Sequence, residues 1–575
     1  MNEIRNDFGE NGGGKRALIG GFLLGVLSFL LLYGIQILDV TYDDWLLTGG
    51  DLSQHYLGWC FFRVSDWSFP VGLMDRISYP NQVSVIFTDS IPLFAVLFKL
   101  LRGLLPETFQ YFGIWGLLCF GLQGGLGALL IRHFVKDDRY AAVGSLFFVL
   151  APIELYRMYM HTALGAQWLL LAAFLLGLKQ NRLKPVQRTA AYLFLGVLCG
   201  SIHLYFVPMC GIILGAFLAV DLILRRNFLQ TVLMGMAYCF SAVAAVVLLG
   251  GLSHDHQLDA GGLGQFSFNL NGLINPQGWS RILPDLPLYG EGAGEGLAFP
   301  GTGILAALLA GALVLSFRKK SRQAVRRQIS GRNVSACLVI AAVSIVISVS
   351  HRLALGGQVI WEIPYPQQLV SLWGMFRSSG RFTWPVVYLL ILFGEVLLYR
   401  VLVCPEEAVG SDMRQSDPAQ AGACGRDGKG LQNAALAVLA ILLVFQIYDC
   451  WPQLKERNDR FSGREEYVSF MTDEVWGRLS EKEHLVFVSD LVSNQNLLYG
   501  LSVYALENDM TVNTFYFAHS AIKSEVKDTI ESSLENPDPD TVYIYKEEDE
   551  KLCTDDRMTY RKADGLVIGI LKSDS

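Results

Sequence analysis

The stretch "IPLFAVLFKLLRGLLP", Ile91–Pro106, decides how the rest of the chain is threaded. It is apolar, but it is short and is interrupted by Lys99 and Arg102. Counted as a full membrane span, it would put "RHFVKDDR" (Arg132–Arg139) outside and invert every later connection. Read as an interfacial amphipathic helix on the outer face, it leaves the charged connections sorted by side. "KR" at Lys15–Arg16, "RHFVKDDR", "KQNRLKPVQR" (Lys179–Arg188), "RRN" (Arg225–Asn227) and "RKKSRQAVRRQISGR" (Arg318–Arg332) then share one side. The positive-inside rule makes that side cytoplasmic. The opposite connections are poor in Lys and Arg; residues 251–298 hold only Arg281.

With that choice about eleven spans are expected, at 17–38, 109–131, 140–156, 163–178, 189–202, 205–224, 228–250, 299–316, 334–350, 383–403 and 431–449. The composition agrees: of 575 residues, 52% are hydrophobic and 17% charged, as in membrane proteins. A net charge of -7 gives no dominant basic surface, so no nucleic-acid partner is expected. The first span exceeds a signal-peptide core and lacks a small-x-small cleavage site, which predicts an uncleaved anchor with a cytoplasmic N-terminus. No Cys-x-x-Cys or Cys/His zinc spacing is present, and Cys119, Cys199, Cys210, Cys239 and Cys337 lie in apolar runs.

Beyond the last span the chain turns charged. "HLVFVSD", "TVYIYK" and "GLVIGIL" predict buried strands, and "SAIKSEVKDTIESSLEN" predicts a helix. The expected fold class is therefore a polytopic α-helical membrane protein with a small C-terminal extracytoplasmic α/β domain. Residues 1–450 would form the membrane domain and 451–575 the soluble one. The first outer loop, 39–107, is long for a loop without function. The polar stretch 405–430 is expected to be a flexible cytoplasmic loop.

Polar residues gather in the outer connections. Loop one carries Asp51, Gln54 and His55 in "GGDLSQHYLGWCFFR" (Gly49–Arg63), and Asp89 near its end. The next outer connection carries Arg157 and His161 beside Glu154; His203 ends the fifth span; Arg377 and Arg381 lie in "SLWGMFRSSGRFTWP". Ionisable groups at the edge of a hydrocarbon slab are costly and commonly line a cavity. This set suits group transfer from a phosphate-bearing lipid. A carboxylate can take the proton of an attacking hydroxyl, and guanidinium forks match phosphate oxygens.

The layout, with "GGDLSQHY" after the first span, "TDSIPLFAVLFKLL" before the second, "YRMYMHTALGAQWLLLAAF" after the third and "FRSSGRF" before a late one, resembles the GT-C superfamily of integral-membrane glycosyltransferases, in an uncharacterised bacterial branch. The resemblance implies a polyprenyl-phosphate-linked sugar as donor. The acceptor would be an envelope glycan, lipid or protein at the plasma membrane's outer face. It implies Asp51 as catalytic base with Asp89 as rival, and Arg377 and Arg381 as phosphate contacts. Gln54, His55, Arg157, His161 and His203 would bind substrate. Loop one has no Asp-x-Asp, unlike the metal-dependent oligosaccharyltransferases, so no metal is assigned and the metal-independent branch is the better analogue.

Each candidate also has a plain reading. Asp51 could cap its helix with Gln54 at the capping-box position, and Asp89 could cap the "SIPLF" helix ahead of Pro92. Tyr56, Trp59, Phe61 and Phe62 read as an interfacial belt or as sugar stackers, and Arg63 as a headgroup contact. Arg157 and His161 could be a packed polar pair, His203 a satisfied core residue, and the arginine pair a headgroup anchor. "YGEGAGEG" (Tyr289–Gly296) lacks the Lys-Ser/Thr of a phosphate loop and reads as a flexible loop. The alternative function is a transporter or flippase for a lipid-linked or anionic substrate, with polar groups at mid-membrane depth. A scaffold whose outer domain binds an envelope partner is a third.

Overall fold

The computed structural model describes residues 13–225, 227–253, 262–317, 330–366, 368–370, 374–403, 424–464, 466–517 and 520–572. The polar N-terminal stretch 1–12, the basic connection 318–329, the loop 405–430 up to residue 423, and Trp373 lie outside them.

A helix occupies each expected span: Gly13–Tyr33, Phe112–Phe134, Asp138–Val149, Trp168–Lys179, Pro185–Ile202, Phe206–Arg225, Phe228–Leu248, Thr302–Phe317, Gly331–Val349, Trp384–Val403 and Cys424–Asp449. Among the described residues eight helical segments are long and apolar enough to cross a membrane. Of the other three, Pro185–Ile202 has 18 residues but carries Arg188 near its start, and length separates the remaining two. Asp138–Val149 has 12 residues, about 18 Å at 1.5 Å per residue, against a hydrocarbon core of about 30 Å. Thr302–Phe317 has 16 residues. The segment that decides the threading forms a helix of 9 residues, Pro92–Leu100, far too short to cross. Leu97, Leu100 and Leu104 on and after it are exposed. Arg102 donates to the Ser65 carbonyl, and Arg63 donates to the Pro106 and Glu107 carbonyls. Those bonds tie this segment to the end of helix Gly50–Val64.

Loop one is folded. Tyr56, Trp59, Phe61 and Phe62 are buried, so they form neither an interfacial belt nor a stacking surface. Trp59 Nε1 donates to the Phe109 carbonyl, and Tyr56 donates to Asp43. The core runs on through edge-on aromatic contacts, such as Tyr33–Tyr159 at 5.0 Å and Tyr33–Phe461 at 5.3 Å between ring centroids.

The three expected C-terminal strands form, at His484–Phe487, Thr541–Lys546 and Leu566–Leu571. Two more, Thr511–Val512 and Met558–Ala563, complete a five-stranded mixed sheet. Its order is Thr511–Val512, His484–Phe487, Thr541–Lys546, Leu566–Leu571, Met558–Ala563, with the first two pairings parallel and the last two antiparallel. The short edge strand is covered by loop one. Val512 N donates to the Arg76 carbonyl and Tyr79 N to the Val512 carbonyl, both at 2.9 Å. The Tyr79 ring stacks on His484 at 4.2 Å. Pairing an otherwise open sheet edge joins the two regions of the molecule.

Candidate functional site

Helix Gly50–Val64 starts on Gly49 and Gly50, both with positive φ, 93° and 67°, a conformation that favours glycine. Its N-cap is Gly49, whose N–H is taken by Ser53 Oγ at 2.8 Å. Asp51 thus sits inside the first turn and is not the cap, and Gln54 donates to the Tyr516 carbonyl. The capping-box reading fails. Asp89 fails as a cap too: Ile91 is the N-cap of helix Pro92–Leu100. Asp89 has φ 52° and ends the 3-10 turn Val85–Thr88. Both carboxylates are left for a cavity of about 220 Å³.

The cavity wall carries Asp51, Gln54, Asp89, His161, His203, Arg377 and Arg381, joined by Tyr205 and Tyr516. Distant connections therefore converge, and the C-terminal region adds a wall. Two predicted residues stand elsewhere. His55 is fully buried with Nδ1 3.1 Å from Thr162 Oγ1, so it does not share a cavity face with Asp51. Arg157, 1% exposed, lies behind the wall.

Asp51 and Asp89 have matched surroundings. His161 Nε2 is 3.4 Å from Asp51 Oδ2, and His203 Nε2 is 3.4 Å from Asp89 Oδ1. Arg157 Nη1 donates to His161 Nδ1 at 3.3 Å, and the Tyr205 N–H donates to His203 Nδ1 at 3.2 Å. With Nδ1 accepting from Tyr205, neutral His203 carries its proton on Nε2, facing Asp89, whereas His161 meets a guanidinium at each nitrogen, since its Nε2 is also 3.4 Å from Arg381 Nη2. Both rings are held neutral. Burial and the Arg381 charge push His203 down to about 3. Burial, Arg381 and Arg157 push His161 well below the usual histidine range. Burial and the Glu295 charge raise Asp51, against the pull of Arg381, Arg157 and Arg377. Burial lifts Asp89 to about 7, with Asp51 repelling and Arg381 opposing.

Glu295 organises the arginines, and the sequence reading passed over it. Residues Glu291–Gly296, read as a flexible loop, form a 3-10 helix. Glu295 meets Arg157 at 2.9 Å and Arg381 at 2.7 Å. Burial alone would raise this carboxyl, but the two guanidiniums outweigh it and hold it well below the usual range. Gly380 allows the approach, since a Cβ there would lie 2.6 Å from Gly296 Cα. The available signal was the arginines themselves: two guanidiniums in apolar surroundings require an acidic partner. Arg377 is exposed, with its guanidinium 5.5 Å from the Phe266 ring centroid. Among the described residues no cluster of three His, Cys, Asp or Glu side chains could hold a metal.

Residues 22–409 match the family described as Domain of unknown function (DUF6311), and residues 475–571 match the DUF6311 C-terminal domain. The chain belongs to the DUF6311 family. No curated protein matches it. Among solved structures, this DUF6311 chain is similar to the Archaeoglobus fulgidus oligosaccharyltransferase in the apo form. That match has 12% identity and TM-score 0.46, and covers 94% of this chain and 70% of that one. The Archaeoglobus fulgidus oligosaccharyltransferase AglB, in complex with an inhibitory peptide and a dolichol-phosphate, matches with 12% identity, TM-score 0.43 and coverage of 93% and 70%. Likenesses this distant assign no activity to DUF6311.

Proposed function

We propose that the protein is a GT-C-type membrane glycosyltransferase. It moves a sugar from a polyprenyl-phosphate donor to an acceptor on the extracytoplasmic side of the plasma membrane, through about eleven spans and an outer C-terminal domain (451–575). The observation that carries this reading is the cavity itself: two carboxylates facing neutral histidines, with Arg377 and Arg381 in the same lining.

In this reading Arg377 and Arg381 hold the donor's phosphate, which leaves as the sugar–phosphate bond breaks. Glu295 fixes the Arg381 fork, with its Oε2 2.7 Å from Nη2. Asp51 accepts the proton of the attacking acceptor group, and His161, with Nε2 3.4 Å from its Oδ2, holds the carboxylate in place. Gln54 and His203 shape the pocket, while His55 and Arg157 support it from behind. A second assignment, Asp89 as base, is favoured by its pKa of about 7, near the working range of a general base. A transporter would place such groups at mid-membrane depth; that His203 follows helix Pro185–Ile202 and Arg381 precedes helix Trp384–Val403 favours the transferase reading.

The test is transfer from a synthetic polyprenyl-phosphate sugar by the purified full-length protein, followed by mass spectrometry of extracted envelope acceptors. Asp51→Asn should abolish transfer, or Asp89→Asn if the second assignment holds. Transfer left intact by both substitutions would remove the base, and with it the mechanism.

A further inference from the structure

The opposite end of the helix bundle holds a second polar cavity, of about 190 Å³, lined by Gln180, Asn181, Arg188, Asp221, Gln230 and Thr231 among others. Helix Pro185–Ile202 connects the two ends. His203 follows its last residue, and Arg188 lies in its first turn, about 22 Å away at 1.5 Å per residue. Nothing in the first cavity involves these residues.

Among the described residues the charges here do not balance. The Asp221 carboxylate is saturated: Oδ1 accepts from Arg332 Nε at 2.5 Å, and Oδ2 from Arg332 Nη2, Gln180 and Asn181 at 2.7, 2.8 and 2.8 Å. Arg332 therefore cancels Asp221. Arg188 is only 9% exposed, and among the described residues its Nε has no hydrogen-bond partner. A buried guanidinium without a counter-charge is costly, and an anion in the cavity would remove that cost. The Gln180 and Asn181 amides each keep a second N–H beyond the one given to Asp221. Exposed apolar side chains neighbour the lining residues along the chain: Val186 lies two residues before Arg188, and Phe228 and Leu229 lie between Asn227 and Gln230, at 80%, 66% and 70% exposure. An anion seated on Arg188 beside such side chains can carry an acyl chain.

We infer that this cavity binds the phosphate of an anionic lipid headgroup, with Arg188 as its counter-ion and the acyl chains against Val186 and Phe228. The inference does not depend on the function of the first cavity.

The test uses full-length protein in neutral detergent, titrated by calorimetry with short-chain phosphatidylglycerol and, separately, with inorganic phosphate. Saturable binding of phosphatidylglycerol is expected, at least tenfold weaker in Arg188→Gln. Thr231→Phe fills the cavity without touching the charge and should weaken binding as well, which covers the case that Arg188→Gln fails to fold. Binding of inorganic phosphate alone, with the same Arg188 dependence, would overturn the lipid source. Lipid binding that neither substitution changes, or no saturable binding, would overturn the site.

Discussion

The two ends of the bundle treat their carboxylates in opposite ways. At one end Asp221 is fully used, with Arg332 and two amides closing on both oxygens. At the other, Asp51 and Asp89 open onto a cavity and face neutral imidazoles, while Glu295 is the carboxylate that pairs with Arg157 and Arg381. A saturated carboxylate holds helices together. A carboxylate kept raised in pKa, beside donors but unclaimed by them, is able to take a proton. In the proposed reading, the difference between structural and chemical acids is thus one of satisfaction.

The comparison can be broken in order of expected effect. Asp51→Asn should lower turnover by ~10²–10⁴-fold, the usual range for a lost general base, with the thermal unfolding midpoint preserved. If Asp51→Asn instead unfolds the protein, Asp51 is structural like Asp221. Asp221→Asn should do the reverse. It leaves Arg332 short of its charge partner and should cost roughly 3 kcal/mol of stability in denaturant titrations, while folded protein keeps its turnover. Arg377→Ala should raise the KM for the lipid donor roughly tenfold with little change in kcat, as for loss of one charge-assisted contact; steady-state kinetics separate the two.

The smallest effect concerns Asp89. Its pKa is higher folded than unfolded, so the native state holds the proton more tightly. That stabilisation is complete below about 3.8, the ordinary value, and is lost as pH rises to about 7. Asp89→Asn should therefore raise the unfolding midpoint by a few degrees at pH 8 and leave it nearly unchanged at pH 4. An equal shift at both pH values would mean that Asp89 carries no raised pKa.

The sequence made the membrane helices legible because apolar length is a local property. Three strands around buried runs were legible for the same reason, whereas Thr511–Val512 is too short to carry a pattern and Met558–Ala563 is buried only at its two ends. The candidate residues stood out because charges at span ends are conspicuous. Side-chain direction was not legible. Asp51 and His55 are four apart, yet the chain turns Asp51 to the cavity and His55 into the core against Thr162. Glu295 was hidden because its partners lie 138 and 86 residues away, and a glycine-rich stretch gives no period to read. Tyr516 was hidden because only the docking of the C-terminal sheet onto loop one brings it to the wall.

The most direct test of the central claim is a structure of the full-length protein with a polyprenyl-phosphate analogue bound. The account predicts the phosphate within hydrogen-bond reach of Arg377 and Arg381, with the Asp51 carboxylate across the cavity. A phosphate bound away from this cavity, with the arginine pair empty, would contradict it.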